Sequence, residues 1–179
     1  MHIVLPMALL AASATGGVIL KPVANMYSRP SDDADVVSQA ICGTNVAIVE
    51  ELAGWIRVRT ADEYAGWTRE TSLRRLGFEE RPYASSGKVA QVTSLFANLY
   101  REPDVTKHQP LYTAPLETRL EVVRGESASG RWLEVRLPDD RTAWVQTGDV
   151  TFDAKPLSIP ELVEFSKRFL GPLKTFIAS

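Results

Sequence analysis

Few side chains in this sequence can do covalent chemistry. Cys42 is the single cysteine, and His2 and His108 are the two histidines. A nucleophilic cysteine needs a base within hydrogen-bond reach and a depressed pKa. The stretch Ala40-Ile41-Cys42-Gly43-Thr44-Asn45 supplies neither a histidine nor a cation, so Cys42 reads as a buried structural thiol. One cysteine also excludes an internal disulfide and any multi-cysteine metal site. His108 sits in the polar run "DVTKHQP" and reads as a loop residue; one histidine there makes no metal site. Asp32, Asp33 and Asp35 follow Pro30 and have the charge to hold a ligand ammonium, but their turn-forming setting favours a solvated loop. No histidine pair or carboxylate dyad suited to acid–base catalysis stands out, so neither a cofactor nor a reaction is expected of this chain alone.

Non-covalent recognition has better material. Tyr64 lies between Trp55 and Trp67, beside Gly66, where a small residue lets another chain or a ligand approach the ring. A second reading has Tyr64 capping its own fold with the hydroxyl in water, and the spacing leaves both open. Trp55, Trp67, Trp132 and Trp144 are candidates for stacking on a ligand, although their regular recurrence is explained as well by packing. Trp55 and Trp132 fall on the opposite strand parity from Ile56/Val58 and Leu133/Val135, which predicts that they cover a surface. Tyr64, Trp67 and Trp55 are therefore the candidate ligand contacts.

The elements that would hold these residues are set out by a repeat. "VANMYSRP" from Val23 returns as "FANLYREP" from Phe96, and "WIRVRTADEYAGW" from Trp55 aligns without a gap to "WLEVRLPDDRTAW" from Trp132. "TNVAIVEE" from Thr44 sits against "TRLEVVRGE" from Thr118, the change of offset falling in the turns "ELAG" and "ESASG". Each copy has short β-branched or aromatic runs separated by Gly, Pro, Asp and Ser, the pattern of small antiparallel barrels. Ile56 and Val58 alternate with Arg57 and Arg59, which gives one buried and one wet face. "ADEY" and "PDDR" read as hairpin turns. A barrel of this size is marginal alone, so the copies are expected to pack together across the linker. The reading is all-β: a first barrel over 17–76, a linker over 77–87, a second barrel over 88–153 and a short helical tail in 154–179.

Composition excludes several function classes. The chain of 179 residues has a net charge of −2 and no dense basic stretch, which argues against nucleic acid as a partner. The start, "MHIVLPMALLAASATGG", has an apolar run and small residues at Ala12-Ser13-Ala14, yet no Lys or Arg before them. Residues 1–16 read either as an export leader, placing the mature protein in the periplasm or cell envelope, or as an ordinary segment of a cytoplasmic protein. The run is too short to span a bilayer, so no stable membrane insertion is expected. Near the other end, Ser158 and Glu161 have capping-box spacing, Pro160 suits a first turn, and Gly171-Pro172 stops the run, which predicts a helix over 159–170. Leu162, Phe165, Phe169 and Leu170 recur on it at helical spacing and need a surface.

Taken together, the stretch from Val23 to Trp67 resembles a bacterial SH3-like (SH3b) domain, and the second copy resembles a more divergent one. Two such domains followed by "ELVEFSKRFLG" resemble the N-terminal region of NlpC-type cell-wall cysteine peptidases, the gamma-D-glutamyl-diamino acid endopeptidases. "DEYAGW" at 62–67 and the helix at 161–171 are its most specific pieces. In that family the closing helix introduces the catalytic domain, with a cysteine in an Asp-Cys-Ser-Gly setting and two histidines beyond. Here "PLKTFIAS" follows Gly171, and the expectation is that the catalytic domain is missing. The resemblance further implies that Tyr64 looks out from the first barrel and helps close a peptide-binding cleft; the second copy has Arg141 and Ala143 where the first has Tyr64 and Gly66. The function so implied is a non-catalytic module that binds or targets peptidoglycan stem peptides, with muropeptides as ligands, for a cell-wall hydrolase. Two alternatives are the leading fragment of an NlpC-type endopeptidase and, by fold analogy alone, an adaptor for proline-rich peptides.

Overall fold

A computed structural model describes residues 16–77, 79–124, 130–152, 154, 158–161 and 163–167. The first copy forms β1 (Gly16–Ile19), β2 (Val23–Tyr27), β3 (Val36–Ile41), β4 (Asn45–Leu52), β5 (Trp55–Arg59), β6 (Ala65–Arg69) and β7 (Leu73–Arg75). The second forms β8 (Val89–Val92), β9 (Phe96–Tyr100), β10 (Tyr112–Pro115), β11 (Arg119–Arg124), β12 (Trp132–Arg136), β13 (Thr142–Gln146) and β14 (Val150–Thr151). The sheet orders are β3-β2-β6-β5-β4-β1-β7 and β10-β9-β13-β12-β11-β8-β14, the same order twice. The fold is thus all-β, two small antiparallel barrels in tandem. The leader reading falls on residues 1–15, outside the described residues, except that Gly16 already belongs to β1.

Register repeats as closely as order does. Arg57 faces Trp67 in the first barrel as Glu134 faces Trp144 in the second. Both copies also carry a β-bulge at one place: the register of β4 slips between Ile48 and Glu50, and that of β11 between Val122 and Arg124. The extra residues, Val49 and Val123, are both exposed, as a bulge that turns a side chain away from the pleat would leave them.

Alternation supplies each core. In β5, Ile56 and Val58 point inward while Arg57 and Arg59 stay wet; in β12, Leu133 and Val135 do the same. The first core gathers Ile19, Met26, Val46, Ile56, Val58 and Leu73, and the second gathers Val92, Leu99, Leu120, Leu133, Val135 and Val145. At roughly 1.5–3 kcal/mol for each large apolar side chain, these clusters are the main force closing each barrel. A third cluster lies between the barrels: Val18, Leu76, Tyr83 and Ala84, with Val89 against it.

Leu76 and residues 79–88 form a bridge between the barrels. The Asn45 amide holds Tyr83 twice, its Nδ2 donating to the Tyr83 carbonyl and its Oδ1 accepting from the Tyr83 N–H, both at 2.8 Å. Tyr83 is 5% exposed, and its hydroxyl donates to the Arg136 carbonyl in the second barrel at 2.5 Å. The Arg74 Nε donates to the Pro138 carbonyl at 2.6 Å, and the Tyr112 hydroxyl donates to the Leu20 carbonyl at 3.1 Å. The expected packing of the copies across the linker is therefore made by specific polar contacts around an aromatic plug.

The tail is helical at 159–161 and 163–167. Half of the expected capping box forms: the Ser158 N–H donates to the Glu161 carboxylate at 2.8 Å. The Ser158 hydroxyl also turns to that carboxylate, where the full motif would send it to a backbone N–H of the first turn. Ile159 and Val163 are exposed and Phe165 is half-buried. Leu162, Phe169 and Leu170 lie outside the described residues. Among the described residues no helix is long and apolar enough to cross a membrane.

Candidate functional site

The turn joining β5 to β6 sets the position of Tyr64. The Thr60 N–H donates to the Tyr64 carbonyl at 3.0 Å, the Thr60 hydroxyl adds a second donation at 3.1 Å, and Glu63 between them adopts φ 66°. A left-handed residue at this point matches the twist of the flanking strands and closes a short hairpin. The second barrel builds the same turn: the Leu137 N–H donates to the Arg141 carbonyl at 2.8 Å, and Asp140 has φ 66°. Tyr64 is 58% exposed at the end of its turn.

At the other end of the same hairpin, where Trp55 pairs with Arg69, lies a stacked wall. The Trp55 ring meets Tyr27 edge-on at 5.6 Å between centroids, and the Arg69 guanidinium lies over it at 4.1 Å. Asp32 holds that guanidinium through both carboxylate oxygens, so one member of the acidic cluster fixes an arginine. Strand parity places Trp55 away from the core side chains, as expected, but it is only 6% exposed because Tyr27 and Arg69 cover it. The prediction that Trp55 and Trp132 form an open surface is corrected accordingly. Trp132 is buried under Tyr100 with the same edge-on geometry, 5.6 Å, and has Gln146 at the position of Arg69. Trp67 is 7% exposed and pairs with Tyr27 and Arg57 across the sheet. Of the three candidate contacts, Tyr64 alone is exposed, and Trp55 and Trp67 are buried further along the hairpin.

Gly66 is small for a different reason than the one expected. A Cβ there would lie 2.8 Å from the Met26 Cβ and 3.1 Å from the Val37 Cγ2, so the missing side chain admits the neighbouring strands. Cys42 is buried, and desolvation pushes its thiol up to about 11, the opposite of what a nucleophile needs. It lies beside Tyr112 where the barrels meet. The His108 Nε2 is 3.3 Å from a Glu102 carboxylate oxygen in the loop before β10. No group of three metal-ligating side chains occurs among the described residues.

Sequence reasoning missed Arg69, Asn45 and Tyr83, whose partners lie far along the chain. It also missed a cleft of about 560 Å³ between the barrels, lined in part by Lys21, Tyr112 and Arg141. The recurrence of Thr60-x-x-x-Tyr64 as Leu137-x-x-x-Arg141 was the available signal for Arg141.

Comparison with known proteins agrees with this architecture. Residues 26–73, from β2 into β7, match the bacterial dipeptidyl-peptidase SH3 domain, so the first barrel is similar to a bacterial SH3 domain. A dipeptidyl-peptidase 6 from Lysinibacillus sphaericus is 33% identical over 57 residues, 31% of this chain and 21% of that protein. The chain thus matches about a fifth of that relative's length. The crystal structure of an NlpC/P60 family protein from Bacillus cereus ATCC 10987 superposes with a TM-score of 0.66 at 21% identity, covering 85% of this chain and 62% of that one. That likeness extends over both barrels and shows a shared fold. NlpC2 from Trichomonas vaginalis aligns at a TM-score of 0.32 and 14% identity over 82% of this chain and 51% of that one, too distant to bear on the argument.

Proposed function

We propose that this chain is a non-catalytic module of a cell-wall hydrolase, in which the first barrel presents Tyr64 to a peptidoglycan stem peptide. The observation that carries the reading is the exposed Tyr64 ring at the end of a hairpin whose backbone is fixed by hydrogen bonds. The two Thr60 hydrogen bonds fix the turn that carries Tyr64, so little ordering entropy is lost when the ring meets a ligand. The bacterial SH3 match to the first barrel and the fold shared with an NlpC/P60 family protein support the hydrolase setting. Cys42, held protonated and buried, offers no nucleophile, which favours a binding role over an enzymatic one for the described barrels.

The test is retention on purified peptidoglycan, with soluble muropeptides as competitors, for the unmodified chain and for Tyr64→Ala. Retention that muropeptides displace, with affinity lowered about two- to tenfold in the variant, is the expected result for one aromatic contact. Absence of binding to both wall and muropeptides would overturn the reading.

A further inference from the structure

The two hairpins have the same backbone and opposite surroundings. In the first barrel the turn ends in Tyr64, facing solvent. In the second it lies against the first barrel, with Leu137 and Pro138 buried and the Pro138 carbonyl taken by Arg74. Its last residue, Arg141, then lines the cleft of about 560 Å³ between the barrels. That volume falls within the usual range of small-ligand sites, which favour domain boundaries.

The chemistry of the cleft is specific. Lys21 comes from the first barrel and has no ion-pair partner among the described residues. Arg141 comes from the second and is held by Asp139, which accepts from its Nε at 2.8 Å and from its Nη2 at 2.7 Å through a single oxygen, Oδ2. The Asp139 Oδ1 also accepts the Arg141 backbone N–H at 3.2 Å. Arg141 is therefore aimed while its Nη1 stays available to donate, and guanidinium is the side chain best shaped for a carboxylate. Two cations and one carboxylate leave a net charge of about +1, which suits a monoanion better than a phosphate dianion. Pro22, Pro110 and the Tyr112 ring supply apolar wall for a ligand larger than a bare carboxylate ion. The Tyr112 hydroxyl is already given to the Leu20 carbonyl, so that ring serves as a surface.

We propose that the interbarrel cleft is a second binding site, taking the carboxylate of a short peptide between Lys21 and Arg141. It is separate from the Tyr64 surface and does not depend on the reading of that surface. The experiment is a titration of the ¹⁵N-labelled chain with N-acetyl-dialanine, its C-terminal amide and inorganic phosphate, followed by amide chemical shifts. The expected result is saturable shifts at Lys21, Thr113 and Arg141 with the acid, at least tenfold weaker binding of the amide and of phosphate, and about tenfold weaker binding of the acid in Arg141→Gln. Lys21→Met, at an exposed position, should weaken the acid in the same sense. Absence of shifts at these residues, equal binding of acid and amide, or an unaffected Arg141→Gln variant would overturn the proposal. Shifts confined to the Tyr64 hairpin would overturn it as well, while leaving the proposed function standing.

Discussion

Replacing Tyr83 by phenylalanine removes one oxygen from the joint between the barrels and leaves the ring in place. The hydroxyl donates to the Arg136 carbonyl at 2.5 Å and receives the Glu121 N–H at a long 3.4 Å, so the loss is essentially one good hydrogen bond. Such a bond contributes about 1 kcal/mol net, rising toward about 3 if its buried partner finds no replacement. For a chain of this length each kcal/mol corresponds to roughly 2–4 °C in Tm, so Tyr83→Phe should melt about 2–12 °C lower. Tyr83→Ala goes further, withdrawing the ring from Gly43 and from the cluster with Val18 and Leu76, at a cost of about 3–5 kcal/mol. Since that cluster couples the barrels, the alanine variant should also divide one calorimetric transition into two. Asn45→Ala attacks the same residue through its backbone, and a double-mutant cycle with Tyr83→Phe should show coupling, because both act on one bridge. A Tyr83→Phe variant melting within about 1 °C of the parent, together with a single transition in Tyr83→Ala, would refute the idea that Tyr83 joins the barrels.

Three further outcomes follow from the same geometry. Gly66→Ala should destabilise the first barrel by about 1–3 kcal/mol in urea titration, because the new methyl meets the Met26 and Val37 side chains; a neutral result would show that β2 and β3 give way. Arg69→Ala should uncover the Trp55 ring, shifting tryptophan emission to the red at a cost of about 0.5–1 kcal/mol, whereas Gln146→Ala should leave Trp132 unchanged under Tyr100. The folded Cys42 thiol ionises near 11 against an ordinary 9.0, so its contribution is complete below pH 9 and is lost as pH rises toward 11. At about 1.4 kcal/mol per pH unit, this amounts to up to about 3 kcal/mol, and Cys42→Ala should show a shallower alkaline decline in denaturation midpoint. Burial also raises Tyr83 and Tyr112, so the variant should keep part of the decline.

The strand inventory was legible because most of it is local. Alternation around Ile56 and Val58 names a face, and the gapless match of Trp55–Trp67 to Trp132–Trp144 fixes the hairpin register in both copies. What surrounds those strands is less local. Parity placed Trp55 outside, and only the assembly of β2 beside β6 and β5 shows that Tyr27 and Arg69 cover it. Gly66 looked like room for a ligand until β2 and β3 filled it. Asn45 and Tyr83 are 38 residues apart, and no period or turn rule links an amide in a strand to a tyrosine in a linker. The hairpin alone left two readings of Tyr64 open, and the resemblance to a known family implied the exposed one; the Lys21 and Arg141 cleft needed two domains to meet.

The duplicated hairpin has one more consequence. Its shape is set by the Thr60 and Leu137 backbone hydrogen bonds and by the left-handed Glu63 and Asp140, and it is kept although the two turns share only Asp62 and Asp139 in sequence. The turn is thus a fitting with an interchangeable tip, aromatic in one copy and cationic in the other. Trading tyrosine and arginine between the two tips should move a recognition property from one end of the molecule to the other without asking either barrel to fold anew.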